Sequence, residues 1–299
     1  MRQKLEYLPV WLVLRVFALL PLPLARAAGW MIAMAPYLLH RRLRGTGMRN
    51  LDIAFPDRPV SEKKRILREM YAGLGRQLAE FCHLPRITPE NVSKLAVYDG
   101  FENFDSARAR GKGVLFMTAH FGGWEVGSFA HSVYGNKLKI VTRALDNAYL
   151  EKLVTRYRTA YGNEILNKDK FSRGLIGAMR AGETVGILMD TNMTPPQGIF
   201  VDYFGRLACT ASGVARVALH TDAAVVPAFT VWDPELRKYR IRFDPALTLI
   251  RTGDEEKDVL ANTAMFTKAI EYYARKYPGQ WLWVHRRWKT RPEGEPPIY

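Results

Sequence analysis

The chain has 299 residues, 48% of them hydrophobic, and a formal charge of +15. That length is ample for a proper core in one large domain or two small ones, and two distant cysteines, Cys82 and Cys209, give neither a disulfide framework nor a zinc spacing and read as core residues. The basic excess points to anionic partners, whether nucleic acid, an acidic membrane surface or an acidic carrier protein, against the plainer reading of a diffusely basic soluble protein.

Residues 8 to 39 are the most apolar region, interrupted by Arg15, Pro21, Pro23 and Arg26. A clean spanning helix needs about twenty consecutive apolar residues, so the interruptions compromise it. A secretory signal is the rival, because Arg2 and Lys4 precede the run and Ala25-Arg26-Ala27 imitates a cleavage site. An uncleaved anchor is preferred: apolar character resumes after that site and ends in Arg41, Arg42, Arg44 and Arg49, the basic flank that marks a cytoplasmic side. Residues 1 to 45 are therefore read as membrane anchor and basic juxtamembrane segment, and 46 to 299 as a cytoplasmic domain.

Residues 61 to 82 read as a helix capped by Ser61, with Leu67, Met70, Tyr71, Leu74, Leu78 and Phe81 forming one apolar stripe. In the stretch GVLFMTAHFGGWE, residues 113 to 125, an apolar run closed by Gly122 and Gly123 predicts a buried strand, a turn, and a helix from about Trp124. His120 then sits at a strand's carboxyl end, where open α/β sheets keep their reactive groups. Five positions apart on one helix, His120 and Glu125 would face away from each other; the glycine turn allows them to meet. Glu125 in the first helical turn, favoured there by the dipole, is expected to hold one imidazole nitrogen while the other faces a substrate hydroxyl.

A strand at 137 to 143 ends in Arg143, which is expected to share the crevice of His120. The helix from about 147 to 161 carries Arg156 and Arg158, for which a solvated face is the simple reading, and a further helix spans 169 to 181. ETVGILMD repeats the apolar strand ending in a polar residue, here Asp190. Residues 191 to 205 read as a loop stiffened by Pro195-Pro196, with Phe200, Tyr203 and Phe204 walling an apolar slot. Then come a helix at 211 to 221, strands at 224 to 232 and over YRIRFDP, a long helix at 255 to 277, and a last short strand, QWLWVH, at 280 to 285, running into Arg286, Arg287, Trp288 and Lys289. Alternating strands and helices predict an α/β fold with a mostly parallel sheet flanked by helices.

Four blocks carry a family resemblance across nearly the whole chain: His120 to Glu125 as H-x-x-x-x-E, TRALDNAYLEKLVTRYR, GILMDTNMTPPQGIFVDYFG and QWLWVHRRWKTRPEGEPP. With them the chain resembles the bacterial lipid A late acyltransferases, the lauroyl and myristoyl transferases, within the glycerolipid acyltransferase-like superfamily. Thr191 stands where members more often carry Gln. The resemblance implies an enzyme of the inner membrane's cytoplasmic face that moves a fatty acyl group from acyl carrier protein, or from coenzyme A in some relatives, to a hydroxyl on an anionic glycolipid. It implies His120 as general base with Glu125 as its partner, and Arg143, Arg158 and Asp190 as substrate-binding residues. The chemistry agrees, since an alcohol needs a positioned base to attack a thioester, and Arg143 or the amides of Gly122 and Gly123 are the candidate oxyanion donors. No nucleophile elbow, Walker loop or dinucleotide fingerprint occurs, so neither covalent acyl-enzyme nor nucleotide or metal cofactor is expected. Two other readings stay open: acylation of another membrane lipid, such as a phosphatidylinositol mannoside or aminolipid, and a membrane scaffold or nucleic-acid binder using the basic tail. On the preferred reading no nucleic acid is a partner.

Overall fold

A computed structural model describes residues 2–167 and 171–299. Nine strands are seen among them: β1 (Ala96–Asp99), β2 (Val114–Thr118), β3 (Lys139–Thr142), β4 (Glu164–Asn167), β5 (Thr184–Leu188), β6 (Gly198–Tyr203), β7 (Arg206–Ala211), β8 (Ala224–Asp233) and β9 (Lys238–Phe243). Seven form one sheet in the order β1-β9-β8-β2-β5-β3-β4, with every neighbouring pair parallel except β8 and β9. The mostly parallel sheet is thus as expected.

Helices cover both faces: α1 (Arg2–Leu19), α2 (Leu22–Leu39), α3 (Arg41–Ala54), α4 (Val60–His83), α5 (Phe101–Ala109), α6 (Trp124–Val133), α7 (Ala148–Arg158), α8 (Phe171–Arg180), α9 (Gly213–Thr221) and α10 (Glu255–Lys276). The alternation of side chains along a strand decides which core each residue joins. Leu115, Met117 and Ala119 pack with residues of α3, α4, α9 and α10, whereas Val114 and Phe116 pack with residues of α5 and α6. Both faces of β2 are buried, which is why its sequence reads as an unbroken apolar run. Cys82 and Cys209 are free and buried, as expected.

Three local expectations need correction. The helix expected from 61 begins at Val60 with Pro59 at its N-cap position, and no side chain caps it, so Ser61 is not the cap. The loop expected over 191 to 205 holds β6, which pairs with β7 through a turn in which Phe204 and Gly205 both have positive φ. Two central residues of that conformation match the right-handed twist of a two-residue hairpin. Tyr203 and Phe204 lie in the core and do not wall an open slot. Residues 280 to 285 are not a strand either: only Phe121 and Trp281 form a bridge, and turns follow, with Trp283 N–H donating to Trp281 O at 3.0 Å. The alternating tryptophans there reflect two indoles buried by a folded turn. The start of the helix expected at 169 lies outside the described residues.

The apolar amino-terminal region is two helices separated at Leu20-Pro21, and among the described residues only α2 is long and apolar enough to cross a membrane. One side of α2 is docked on α4. Gly29 meets Gly75 so closely that a Cβ on Gly29 would lie 2.2 Å from Gly75 O. Ala25 and Ala79 are fully buried in the same packed region, and Arg26 reaches Glu80 at 2.7 Å. The outer side exposes Leu24, Met31, Leu38 and Leu39, and α1 exposes Leu5, Leu8, Leu12, Val16 and Leu19. Gly29→Ala is expected to force α2 off α4 and to lower stability by about 1–3 kcal/mol, the usual cost of overpacking; urea unfolding in detergent measures it, and an unchanged midpoint would show that the crossing tolerates a methyl group.

Candidate active site

The segment leaving β2 is shaped by its two glycines. Gly122 has φ +54°, and a Cβ there would lie 2.0 Å from Thr230 O; a Cβ on Gly123 would lie 2.5 Å from the Tyr239 ring. Only glycine fits such approaches. The Gly122 N–H donates to Gln280 O at 2.8 Å and the Gly123 N–H to Thr230 O at 3.0 Å. Both amides, expected as oxyanion donors, are therefore engaged in holding the turn.

His120 is oriented from a neighbouring strand. β2 and β5 are parallel, with Thr118 beside Leu188, so the residues two further on, His120 and Asp190, emerge side by side at the sheet's carboxyl edge. Asp190 Oδ1 lies 2.9 Å from His120 Nδ1, and Asp190 Oδ2 accepts from the His120 backbone N–H at 3.0 Å and from Trp281 Nε1 at 2.9 Å. Burial by itself would raise the Asp190 carboxyl, but the adjacent imidazole and these donors hold it below the ordinary carboxylate range. For His120, burial pulls downward, yet the Asp190 charge and hydrogen bond, with Glu125 adding its field, leave it above the ordinary histidine range. The bond from Nδ1 fixes the neutral tautomer in which Nε2 is the free, basic nitrogen.

The expected His120–Glu125 contact is thus corrected: Asp190 occupies Nδ1. Glu125 sits in the first turn of α6 and faces α7, where its two oxygens accept from Arg158, Nε at 2.9 Å and Nη2 still closer. This two-pronged pair is mostly shielded from solvent, and although burial would lower the Arg158 guanidinium, Glu125 holds it above its ordinary value. Arg158 is therefore not a solvated helix residue, while Arg156 is exposed. Arg143 is placed elsewhere: its side chain is 71% exposed and pairs with Asp146 at 3.3 Å.

The basic tail is largely interior. Arg287 is 1% exposed, donating to Cys209 O at 2.9 Å and to Thr210 Oγ1, with its guanidinium 5.1 Å from the Tyr203 ring centre. Trp283 and Trp288 are fully buried. Arg287 braces the fold through a carbonyl and a hydroxyl. Arg286 is half-buried beside Tyr299, and Lys289 is exposed.

Residues 2–290 match the sequence profile of the bacterial lipid A biosynthesis acyltransferases. The chain belongs to that family. It is 27% identical over 289 residues to the lipid A biosynthesis palmitoleoyltransferase of Escherichia coli K12, covering 96% of this chain and 92% of the relative. It is 25% identical over 291 residues to the lauroyltransferase of the same organism, covering 97% and 92%, and 23% identical over 259 residues to its myristoyltransferase, covering 86% and 78%. The protein is accordingly an O-acyltransferase of the lipid A biosynthesis type.

Two cavities flank the dyad of this acyltransferase, sharing Trp124, whose ring lies 5.4 Å edge-on from that of His120. One, about 90 Å³, runs between α6 and the sheet and is lined mainly by apolar side chains such as Phe116, Ile140, Leu188 and Phe243, with Glu125 and Arg158 on its wall. That is several times the space of one water-sized group. The second reaches His120 itself and is lined by Arg76, Trp124, Trp232, Tyr239 and Leu282. Among the described residues no group of three or more His, Cys, Asp or Glu is placed to hold a metal ion.

Replacing Arg287 by Met keeps the bulk but strips two hydrogen bonds from buried acceptors. A loss of about 2–4 kcal/mol is expected, read as a lower urea midpoint, with an unchanged Michaelis constant in the folded fraction. A raised Michaelis constant at wild-type stability would instead assign this arginine a binding role.

Proposed function

We propose that the protein transfers a fatty acyl chain from acyl carrier protein to a hydroxyl of a lipid A precursor, at the cytoplasmic face of the inner membrane. The observation carrying this reading is the His120–Asp190 dyad standing beside a narrow apolar cavity. His120 Nε2 takes the proton of the acceptor hydroxyl as its oxygen attacks the thioester carbon. Asp190 steadies the imidazolium that forms, the C–S bond breaks, and the thiolate recovers the proton from His120. The acyl chain lies in the cavity along α6, and the acceptor enters from the side of Arg76 and Trp232. The positive end of the α6 dipole, at Trp124, favours the developing oxyanion. Glu125 and Arg158 are positioning residues that tie α6 to α7 at the cavity wall.

Localisation rests on the amino-terminal helices. Residues 1 to 45 provide the contact with lipid through the exposed apolar sides of α1 and α2, with Arg41 and Arg42 exposed immediately beyond α2 for anionic headgroups. The net charge of +15 suits both an acidic carrier protein and a phosphorylated lipid.

Purified enzyme with acyl carrier proteins of several chain lengths and a lipid A precursor tests this directly. His120→Ala is expected to lose about two to four orders of magnitude in turnover; near wild-type turnover would rule out its role as base, and acylation confined to another lipid would rule out the acceptor. The pH profile separates the dyad from a generic histidine. Because the free base is the active form and the folded His120 titrates above the ordinary range, activity should fall with decreasing pH along a limb centred above the ordinary histidine value of about 6.5. Asp190→Asn removes the charge that raises it while burial still pulls it down, so the residual activity should show that limb at lower pH; an unmoved limb would show that another group titrates.

A further inference from the structure

His131 lies on α6 six residues beyond Glu125, about 9 Å further along the helix at 1.5 Å per residue, and it lines the deep part of the apolar cavity. It is 2% exposed, against the partly open Glu125 and Arg158. The Tyr98 hydroxyl accepts from Asn136 Nδ2 at 3.2 Å, which leaves its own proton to donate to His131 Nδ1 at 2.8 Å. Nδ1 is thus the acceptor, and in the neutral ring the proton belongs to Nε2. Neutrality follows from burial, with Arg108 adding to it, which together pull His131 down to about 3.

His131 Nε2 is buried without a hydrogen-bond partner. Around the ring stand Phe104, Phe116 and Phe243, with centres 5.2, 5.4 and 5.6 Å away. A buried N–H with no acceptor is costly, and a water held there would find this donor among aromatic rings where it needs two to four polar partners. A ligand that brings its own oxygen on an apolar body satisfies both the donor and the walls.

We infer that His131 Nε2–H donates to an oxygen carried on the acyl chain, so that the cavity selects hydroxylated over unsubstituted chains. The inference rests on the reading that the acyl chain occupies this cavity. His131 is then a specificity-determining residue at a depth set by α6, and Tyr98 is a positioning residue that fixes its tautomer.

Displacement of a fluorescent fatty acid from the detergent-solubilised full-length protein, by dodecanoic acid and by its positional series of monohydroxy derivatives, tests the proposal without requiring turnover. One isomer, or two adjacent ones, should bind about two- to twelvefold more tightly than the plain chain, the range for one net hydrogen bond. His131→Phe should abolish that preference while still binding dodecanoic acid. If His131→Phe does not fold, Tyr98→Phe, which keeps the imidazole but frees its tautomer, should weaken the preference instead. Equal binding of every isomer to the wild type, a preference that survives His131→Phe, or no binding of any chain overturns the proposal. A hydroxyl preference in binding, with no acyl transfer to any lipid, would instead overturn the proposed function and leave this site standing.

Discussion

The parallel pairing of β2 with β5 is the constraint on which the site depends. Its register sets Thr118 beside Leu188 and so brings His120 next to Asp190 without any long side chain having to reach. A carboxylate as deeply buried as Asp190 is tolerable only when its oxygens are paired, and here an imidazole, a backbone amide and an indole supply that pairing. The indole comes from Trp281, so the carboxyl-terminal segment is drawn into the same arrangement. Leu282 N–H donates to His120 O at 3.1 Å and Gln280 O accepts from Gly122. Residues 280 to 282 therefore close over the turn that carries the histidine, and the site is complete only when the carboxyl-terminal segment has met the ends of β2 and β5.

The tail beyond this clamp is architecture. Asn50 on α3 is fully buried and donates to Trp283 O at 2.6 Å and His285 O at 2.7 Å, while His285 Nε2 accepts from Asn192 N–H just past Asp190. Thr290 and Asn192 exchange two further bonds at 2.9 Å. These bonds tie α3, the strand-end loop and the tail together in a region where Tyr203, Trp281, Trp283 and Trp288 form one aromatic nest. Buried Arg287 belongs to that nest, its charge set over a tyrosine ring and against a carbonyl. A cluster of arginines and tryptophans in sequence resembles a docking surface, but the same residue types also make a well-satisfied interior.

The sequence was informative where structure is local and misleading where it is not. The apolar run 114 to 118, the glycine turn and the helix from Trp124 follow from pattern alone, and so does the parallel sheet. The partner of His120 does not. Proximity in sequence favours Glu125, and nothing local reveals that β5 lies beside β2 while β3, next in the chain, lies one place further out. The signal was nonetheless visible in the two apolar strands each ending in a polar residue, His120 and Asp190. Arg158 was obscured for the same reason: its carboxylate partner is 33 residues away on another helix. The β6–β7 hairpin was hidden by its prolines, although Phe204-Gly205 marks the turn. Alternating tryptophans suggested a strand where turns carry two indoles inward.

The docking of α2 on the body links this apolar helix to the neighbourhood of His120 by short, stiff steps. Arg26 of α2 pairs with Glu80, which is fully buried on α4, and the other oxygen of Glu80 accepts from the Tyr239 hydroxyl. The ring of Tyr239 packs against Gly123, at the start of the helix that follows His120. Burial holds the Glu80 carboxyl above the ordinary carboxylate range even with the Tyr239 hydroxyl, Arg26 and Arg76 pulling it down, so losing any of these partners would be expensive. Arg26 thus serves the interior as well as the helix that carries it, and α2 swinging away would strip Glu80 of its ion-pair partner, leaving it the Tyr239 hydroxyl and the charge of Arg76. On the proposed membrane location, in which α2 contacts lipid, this chain of contacts sets the height of His120 relative to the headgroups. If the donor is a water-soluble thioester and the acceptor hydroxyl is membrane-bound, as proposed, that height needs to be fixed, because a misplacement of about 1 Å in the reacting groups can reduce the rate by about a hundredfold. The interruption of the apolar stretch by Arg26, which weakens it as a simple spanning segment, is on this argument what makes it part of the active-site scaffold.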